Sequence, residues 1–162
     1  TARDAGSLRL AVASAPPVGS CLLVFELATS SVRSVSDLQP EVISAFALDA
    51  SGVRLLWARS DHHLELWDLD RGERLATLDG HTDKINAVAF DPRGDRAFSC
   101  GRDRTLRVWN LLTGETVACF TADAALRAVA VAPDGHSLVA TDVAGRVHSL
   151  QIEEPAGRPV AA

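Results

Sequence analysis

The segment HLELWDLDRGERLATL (63–78) lies over TLRVWNLLTGETVACF (105–120) at an offset of 42 residues, which places Trp67 on Trp109. A further step of 42 back from Trp67 reaches Phe25, and a step of 41 on from Trp109 reaches Leu150, so four large apolar side chains mark four units. A second set of segments keeps the same offsets: EVISAFALDASGVRLLWARSD (41–61), DKINAVAFDPRGDRAFSCGRD (83–103) and AALRAVAVAPDGHSLVATDVA (124–144) align without gaps. Repeats at this spacing stack like units side by side, because one unit alone cannot bury its own apolar face.

Within a unit the apolar segments are short and separated by turn residues. DASG, DPRG and APDG each end in a glycine suited to a tight hairpin, and DRGE and TGE do the same after the tryptophan segments. Each unit therefore reads as four antiparallel strands, expected in the unit around Trp109 at about 85–90, 96–100, 105–110 and 116–120. The first strands, AFAL, AVAF and AVAV, are apolar on both faces, as a sheet covered on each side requires. Ala45, Ala47, Ala87, Ala89, Ala128 and Ala130 set small side chains on one face, and Phe46, Leu48, Val88, Phe90, Val129 and Val131 set large ones on the other. That alternation fits sheets converging on an axis.

With 162 residues, 47% of them hydrophobic, the chain is long enough to bury a core. No apolar run nears the roughly 18 residues that span a bilayer, and the first residues lack a signal-peptide pattern, so no membrane partner is expected. The formal charge of -5 argues against nucleic acid as the main partner and leaves room only for a local basic patch. Cys21, Cys100 and Cys119 are odd in number, lack CxxC spacing and sit in apolar runs, so buried thiols in a reducing, cytoplasmic compartment are expected. Fifteen arginines, one lysine, no methionine and a start at Thr1 suggest a segment of a longer protein.

His81, Ser99 and Asp103 fall within one stretch, DGHTDKINAVAFDPRGDRAFSCGRDRTLRVWN, and raise the question of a hydrolase site. Ser99 lies mid-strand without a GxSxG elbow, which favours architecture over catalysis. His62-His63 opens a strand, where adjacent side chains point to opposite faces, so the pair reads as solvent-exposed turn residues and no metal site is expected. GxxxxGK[ST], GxGxxG and HExxH are all missing from the chain, and no enzyme activity or cofactor is expected.

The period, four strands per unit and Gly80-His81 followed by Trp109 closely resemble the WD-repeat β-propeller family from Asp37 to Ile152. The unit around Trp109 matches best, with Asn110 for the usual aspartate; the preceding one keeps Trp67-Asp68 but has Leu38-Gln39 where Gly-His would stand. The resemblance implies an all-β fold of four-stranded antiparallel blades, about three full and one partial. The limits are 1–35 for a partial first blade without its innermost strand and with an inserted APPVG, 36–78, 79–120, 121–154 for a last blade lacking its outer strand, and 155–162 for a flexible tail. It also assigns His81, Ser99, Asp103 and Trp109 to a hydrogen-bonded structural tetrad. Asp61 keeps the aspartate position, but Trp57 and Gln39 replace the serine and histidine, so that blade must hold its turn differently.

Family members recognise partners with the loops that enter the first strand and leave the second, which singles out Ser44, Ser60, Lys84, Asn86, Arg102 and Arg127. The implied function is a non-enzymatic protein-interaction or ligand-sensing scaffold whose partner is another protein or the remaining propeller blades. The ending GRVHSLQIEE is similar to the last repeat of propellers in large bacterial signalling proteins, with a nucleotide-binding switch or kinase upstream. Two alternatives are a homo-oligomer in which two copies close one eight-bladed ring, and the propeller part of an enzyme carrying haem or a quinone, against which the lack of CxxCH counts.

Overall fold

The computed structural model describes residues 9–14, 21–26, 31–35 and 43–153, with side chains placed over 43–153. Every regular element among them is a β-strand paired antiparallel with its neighbour in the chain. The first sheet holds β1 (Arg9–Ser14), β2 (Cys21–Glu26) and β3 (Ser31–Val35) in the order β1-β2-β3. The second holds β4 (Ala45–Leu48), β5 (Arg54–Ala58), β6 (Leu64–Asp68) and β7 (Glu73–Leu78). The third is β8 (Ile85–Phe90), β9 (Arg96–Gly101), β10 (Thr105–Asn110) and β11 (Thr116–Thr121). The fourth is β12 (Leu126–Val131), β13 (Ser137–Asp142) and β14 (Val147–Gln151), with β14 at its outer edge. The architecture is thus all-β and made of propeller blades, two of them four-stranded and two three-stranded among the described residues. The insertion APPVG and the tail at 155–162 lie outside those residues.

Strand ends in the third sheet fall within one residue of the positions that the repeat predicts. Gly52, Gly94 and Gly135, which close the equivalent first hairpins, have φ of 69°, 76° and 71°, a backbone that β-carbon-bearing residues rarely adopt. Leu56, Leu64, Leu66 and Leu78 of the second sheet pack on Ile85, Ala97 and Trp109 of the third. Phe98, Cys100, Leu106 and Val108 on the other face of the third sheet pack on Leu126, Leu138 and Ala140 of the fourth. The taper follows from the inner strands: Val88 and Phe90 join the cluster against the preceding sheet, while Ala87 joins the one against the next.

Among the described residues the fourth sheet has an apolar partner on one face only. Leu138, Ala140 and Leu150 meet the third sheet, whereas Val139 and Val147, which alternate to the other side, are 42% and 68% exposed.

Two expectations need correction. Cys100 is buried, and burial pushes its thiol up to about 12, but Cys119 is exposed because it sits on β11, the outer strand of its sheet. Thr116, Val117 and Ala118 on that strand are exposed as well and only Phe120 is half-buried, so most of the apolar run reflects β-propensity rather than burial. Of the histidine pair only His62 departs from the expected exposure, since the His63 side chain is 45% exposed. His62 is half-buried at a φ of 72°, with its Nδ1 buried and unpaired, and His63 Nδ1 lies 2.6 Å from Asp79 Oδ1.

Candidate functional site

In the third sheet the loop before β8 carries His81, the middle of β9 carries Ser99, the turn after β9 carries Asp103 and β10 carries Trp109. The four side chains form one chain of hydrogen bonds: Asp103 Oδ2 to His81 Nδ1 at 2.7 Å, His81 Nε2 to Ser99 Oγ at 2.6 Å, and Trp109 Nε1 to Ser99 Oγ at 2.8 Å. Burial outweighs the pull of Asp103 and lowers the His81 pKa, which favours the neutral ring. Since Asp103 only accepts, the His81 proton belongs on Nδ1, Ser99 donates to Nε2, and the indole donates to the Ser99 oxygen. No donor or acceptor in the chain is left over. Ser99 is 0% exposed, so a substrate carbonyl has no route to its hydroxyl.

Thr105 completes the turn and was not singled out above. Its N–H and hydroxyl both donate to Asp103 Oδ1, at 3.0 and 2.9 Å, while the Thr82 N–H donates to Oδ2 at 3.2 Å. Burial raises the Asp103 pKa, but these bonds and His81 more than offset it and hold the carboxyl below its ordinary range. The D-x-T spacing of an Asx turn was the available sequence signal.

The second sheet, without serine or histidine at these positions, uses Glu65. Its carboxylate is nearly inaccessible and accepts from both indoles, Trp57 Nε1 at 3.0 Å and Trp67 Nε1 at 2.8 Å, and from Arg59 Nη1 and Arg74 Nη1 at 3.0 Å each. Burial opposes ionisation here too, and the four donors overcome it, so the Glu65 pKa is lowered. In the fourth sheet Asp142 accepts from the Ala144 and Arg146 N–H groups, Arg146 Nε and His148 Nε2. Each of these three sheets closes a buried carboxylate with different partners.

The candidate partner-binding positions, with Ser44 and Asn86 half-buried and the other four exposed, lie at the end of the sheets where the inner strands begin. Ile85 pairs with Gly101 and Ala87 with Cys100, so Asn86 is an extra residue in the ladder; Leu126 pairs with Asp142 and Ala128 with Thr141, so Arg127 is its counterpart. Such bulges turn a side chain away from the regular alternation. Gly101 makes room for the first one, since a β-carbon there would stand 2.7 Å from the Lys84 carbonyl oxygen. Asn86, Arg102 and Arg127 line one cleft of about 610 Å³ together with Asp83, Ala125 and Val143. Asn86 also lines a neighbouring cleft of about 400 Å³ with Ile43, Ser44, Ala45, Phe46, Ala87 and Val88. Ser60 and Lys84 are exposed but line neither cleft. Asn86 is tied in place, its Nδ2 donating to the Leu126 carbonyl of the next sheet at 2.6 Å.

Residues 72–110 match the family model of the WD domain, G-beta repeat. That stretch runs from the outer strand of the second sheet through the three inner strands of the third, so the sequence unit stitches two sheets together. No curated protein matches the chain in sequence. Among solved structures it is similar to the β-propeller domain of Cps50 (Swd1) from Myceliophteria thermophila, with a TM-score of 0.68 and 19% identity, over 73% of this chain and 38% of that one. The chain thus spans under two thirds of the length of the propeller it resembles. It is a run of β-propeller blades that carries a WD repeat at 72–110.

Proposed function

We propose that the chain is a non-enzymatic docking scaffold, the part of a propeller that presents the clefts around Asn86 to a protein ligand. The carrying observation is that two bulged residues, Asn86 and Arg127, and the turn residue Arg102 share one cleft at one end of the blades. Loops held at the end of a rigid sheet stack are the usual seat of recognition. In this reading His81, Ser99, Asp103 and Trp109 are a structural tetrad that stiffens the blade beneath the loops. WD-repeat propellers typically bind proteins, which agrees with it. A peptide array probed with the labelled chain tests the idea. Asn86→Ala, Arg102→Ala and Arg127→Ala together should erase most captured spots while Arg93→Ala, in the turns at the other end of the sheets, preserves them; an unchanged pattern refutes it.

A second reading concerns the open side of the fourth sheet. Val139 and Val147 occupy the face that, in the second and third sheets, meets the next blade, so further blades of the same protein, or a second copy closing a ring, would cover them. Light scattering that finds only monomer eliminates the second copy.

A further inference from the structure

We propose that the ligand of this face is an extended acidic peptide whose carboxylate seats between Arg102 and Arg127 and whose apolar neighbour enters the adjoining cleft. The inference rests on the docking reading above and adds the chemistry of the occupant.

In a chain of net charge -5, these two guanidinium groups line one cleft, both are exposed, and neither has a side-chain hydrogen bond or ion pair among the described residues. Paired arginines suit a planar carboxylate, which they bind with charge-assisted hydrogen bonds. The same cleft also holds acceptors. Asn86 commits its Nδ2 to the Leu126 carbonyl, which leaves Oδ1 as an acceptor for an incoming donor, and Asp83 lines the wall with one carboxylate oxygen taken by the Lys84 N–H. A peptide offers both halves of that pattern, a carboxylate for the arginines and backbone N–H groups for Asn86 and Asp83. A nucleic-acid backbone offers acceptors in place of N–H donors, which leaves Asn86 Oδ1 and Asp83 without partners.

The neighbouring cleft sharpens the motif. Apart from Ser44 and Asn86 its lining is apolar, namely Ile43, Ala45, Phe46, Ala87 and Val88. Because Asn86 lines both clefts, a strand-like segment crossing it places an acidic side chain on one flank and an apolar one on the other.

Fluorescence anisotropy with the 162-residue chain provides the test. The probes are a fluorescein-labelled peptide of about ten alternating leucines and glutamates, its glutamine counterpart, and a labelled oligothymidine of about ten nucleotides, lengths that span both clefts. The acidic peptide should bind, more weakly at high salt, and glutamine should weaken it about tenfold, as should Arg102→Gln or Arg127→Gln. Arg93→Gln, an equal loss of charge elsewhere, should leave binding unchanged, and circular dichroism should show all variants folded. Equal binding of the glutamine peptide overturns the acidic assignment while leaving the docking face standing. Tighter binding of oligothymidine, or equal weakening by Arg93→Gln, also overturns it, the latter as general charge attraction. Failure of a folded chain to bind either peptide overturns the acidic-peptide assignment, and the peptide array then decides the docking reading separately.

Discussion

Trp109 and Ser99 are both 0% exposed, and the 2.8 Å bond between them is the innermost link of the polar chain in the third sheet. Ser99→Ala removes a hydroxyl that serves two partners, stranding the indole N–H and the His81 Nε2 away from water. A buried group left unpaired costs about 1 to 3 kcal/mol, so with two the loss should reach about 2 to 4 kcal/mol. Trp109→Phe keeps Ser99 bound to His81 but opens space in a packed interface, for which about 1 to 3 kcal/mol is expected. In the double variant the indole N–H no longer exists to be stranded, so its loss should fall short of the sum by about 1 kcal/mol or more. Urea unfolding followed by circular dichroism on the four proteins measures this difference without relying on tryptophan emission. Losses that add within about 0.4 kcal/mol would show that the bond carries no energy of its own, and the account of a closed polar chain would fail.

Other outcomes follow from the same contacts. The folded-state His81 pKa lies below its ordinary 6.5, so the unfolded chain takes up the proton more readily; stability is full above pH 6.5 and lost as pH falls through the folded value. The urea midpoint should drop below pH 6.5, with a shallower slope in His81→Asn. Asp49, Glu65, Asp103 and Asp142 are all lowered, so a second loss should set in as pH enters the ordinary carboxylate range, where the unfolded chain takes up protons first, and continue down through the folded values. Glu65→Ala should cost about 2 to 4 kcal/mol, because it strands the Trp57 and Trp67 indole N–H groups, while Arg59 and Arg74, 29% and 52% exposed, can turn to water; a thermal midpoint unchanged within error would contradict that. Gly101→Ala should lower the melting temperature by pressing a methyl group on the Lys84 carbonyl, whereas Leu112→Ala, at a residue 94% exposed, should not.

The period alone placed the strands, because hairpin glycines and alternating apolar residues are local signals. The residues that meet at Ser99 were legible for a related reason: a motif names them in order, and each has a separate donor or acceptor task. Glu65 was not legible. In LELWD it occupies a position that a half-buried strand would turn to solvent, and only the approach of Trp57 across the ladder makes it a buried acceptor. Nor do INAVAF and LRAVAV reveal that Asn86 and Arg127 are bulged, since the extra residue is defined by the opposite strand. Cys119 misled because apolar composition cannot tell an outer strand from an inner one.

The division of labour between contacts has a consequence for how the molecule comes apart. The buried carboxylates are satisfied mainly within their own sheets, whereas the clusters that join one sheet to the next are apolar. Such a stack behaves as a linear chain of coupled units, each melting with a probability set by its neighbours. Among the described residues the third sheet has a neighbour against both faces and the fourth against one, so loss of order should begin at β14 and travel inward. Amide hydrogen exchange would then read as a gradient, slow at Phe98 and Cys100 and faster towards Ser149, with the clefts around Asn86 at the boundary between the two regimes.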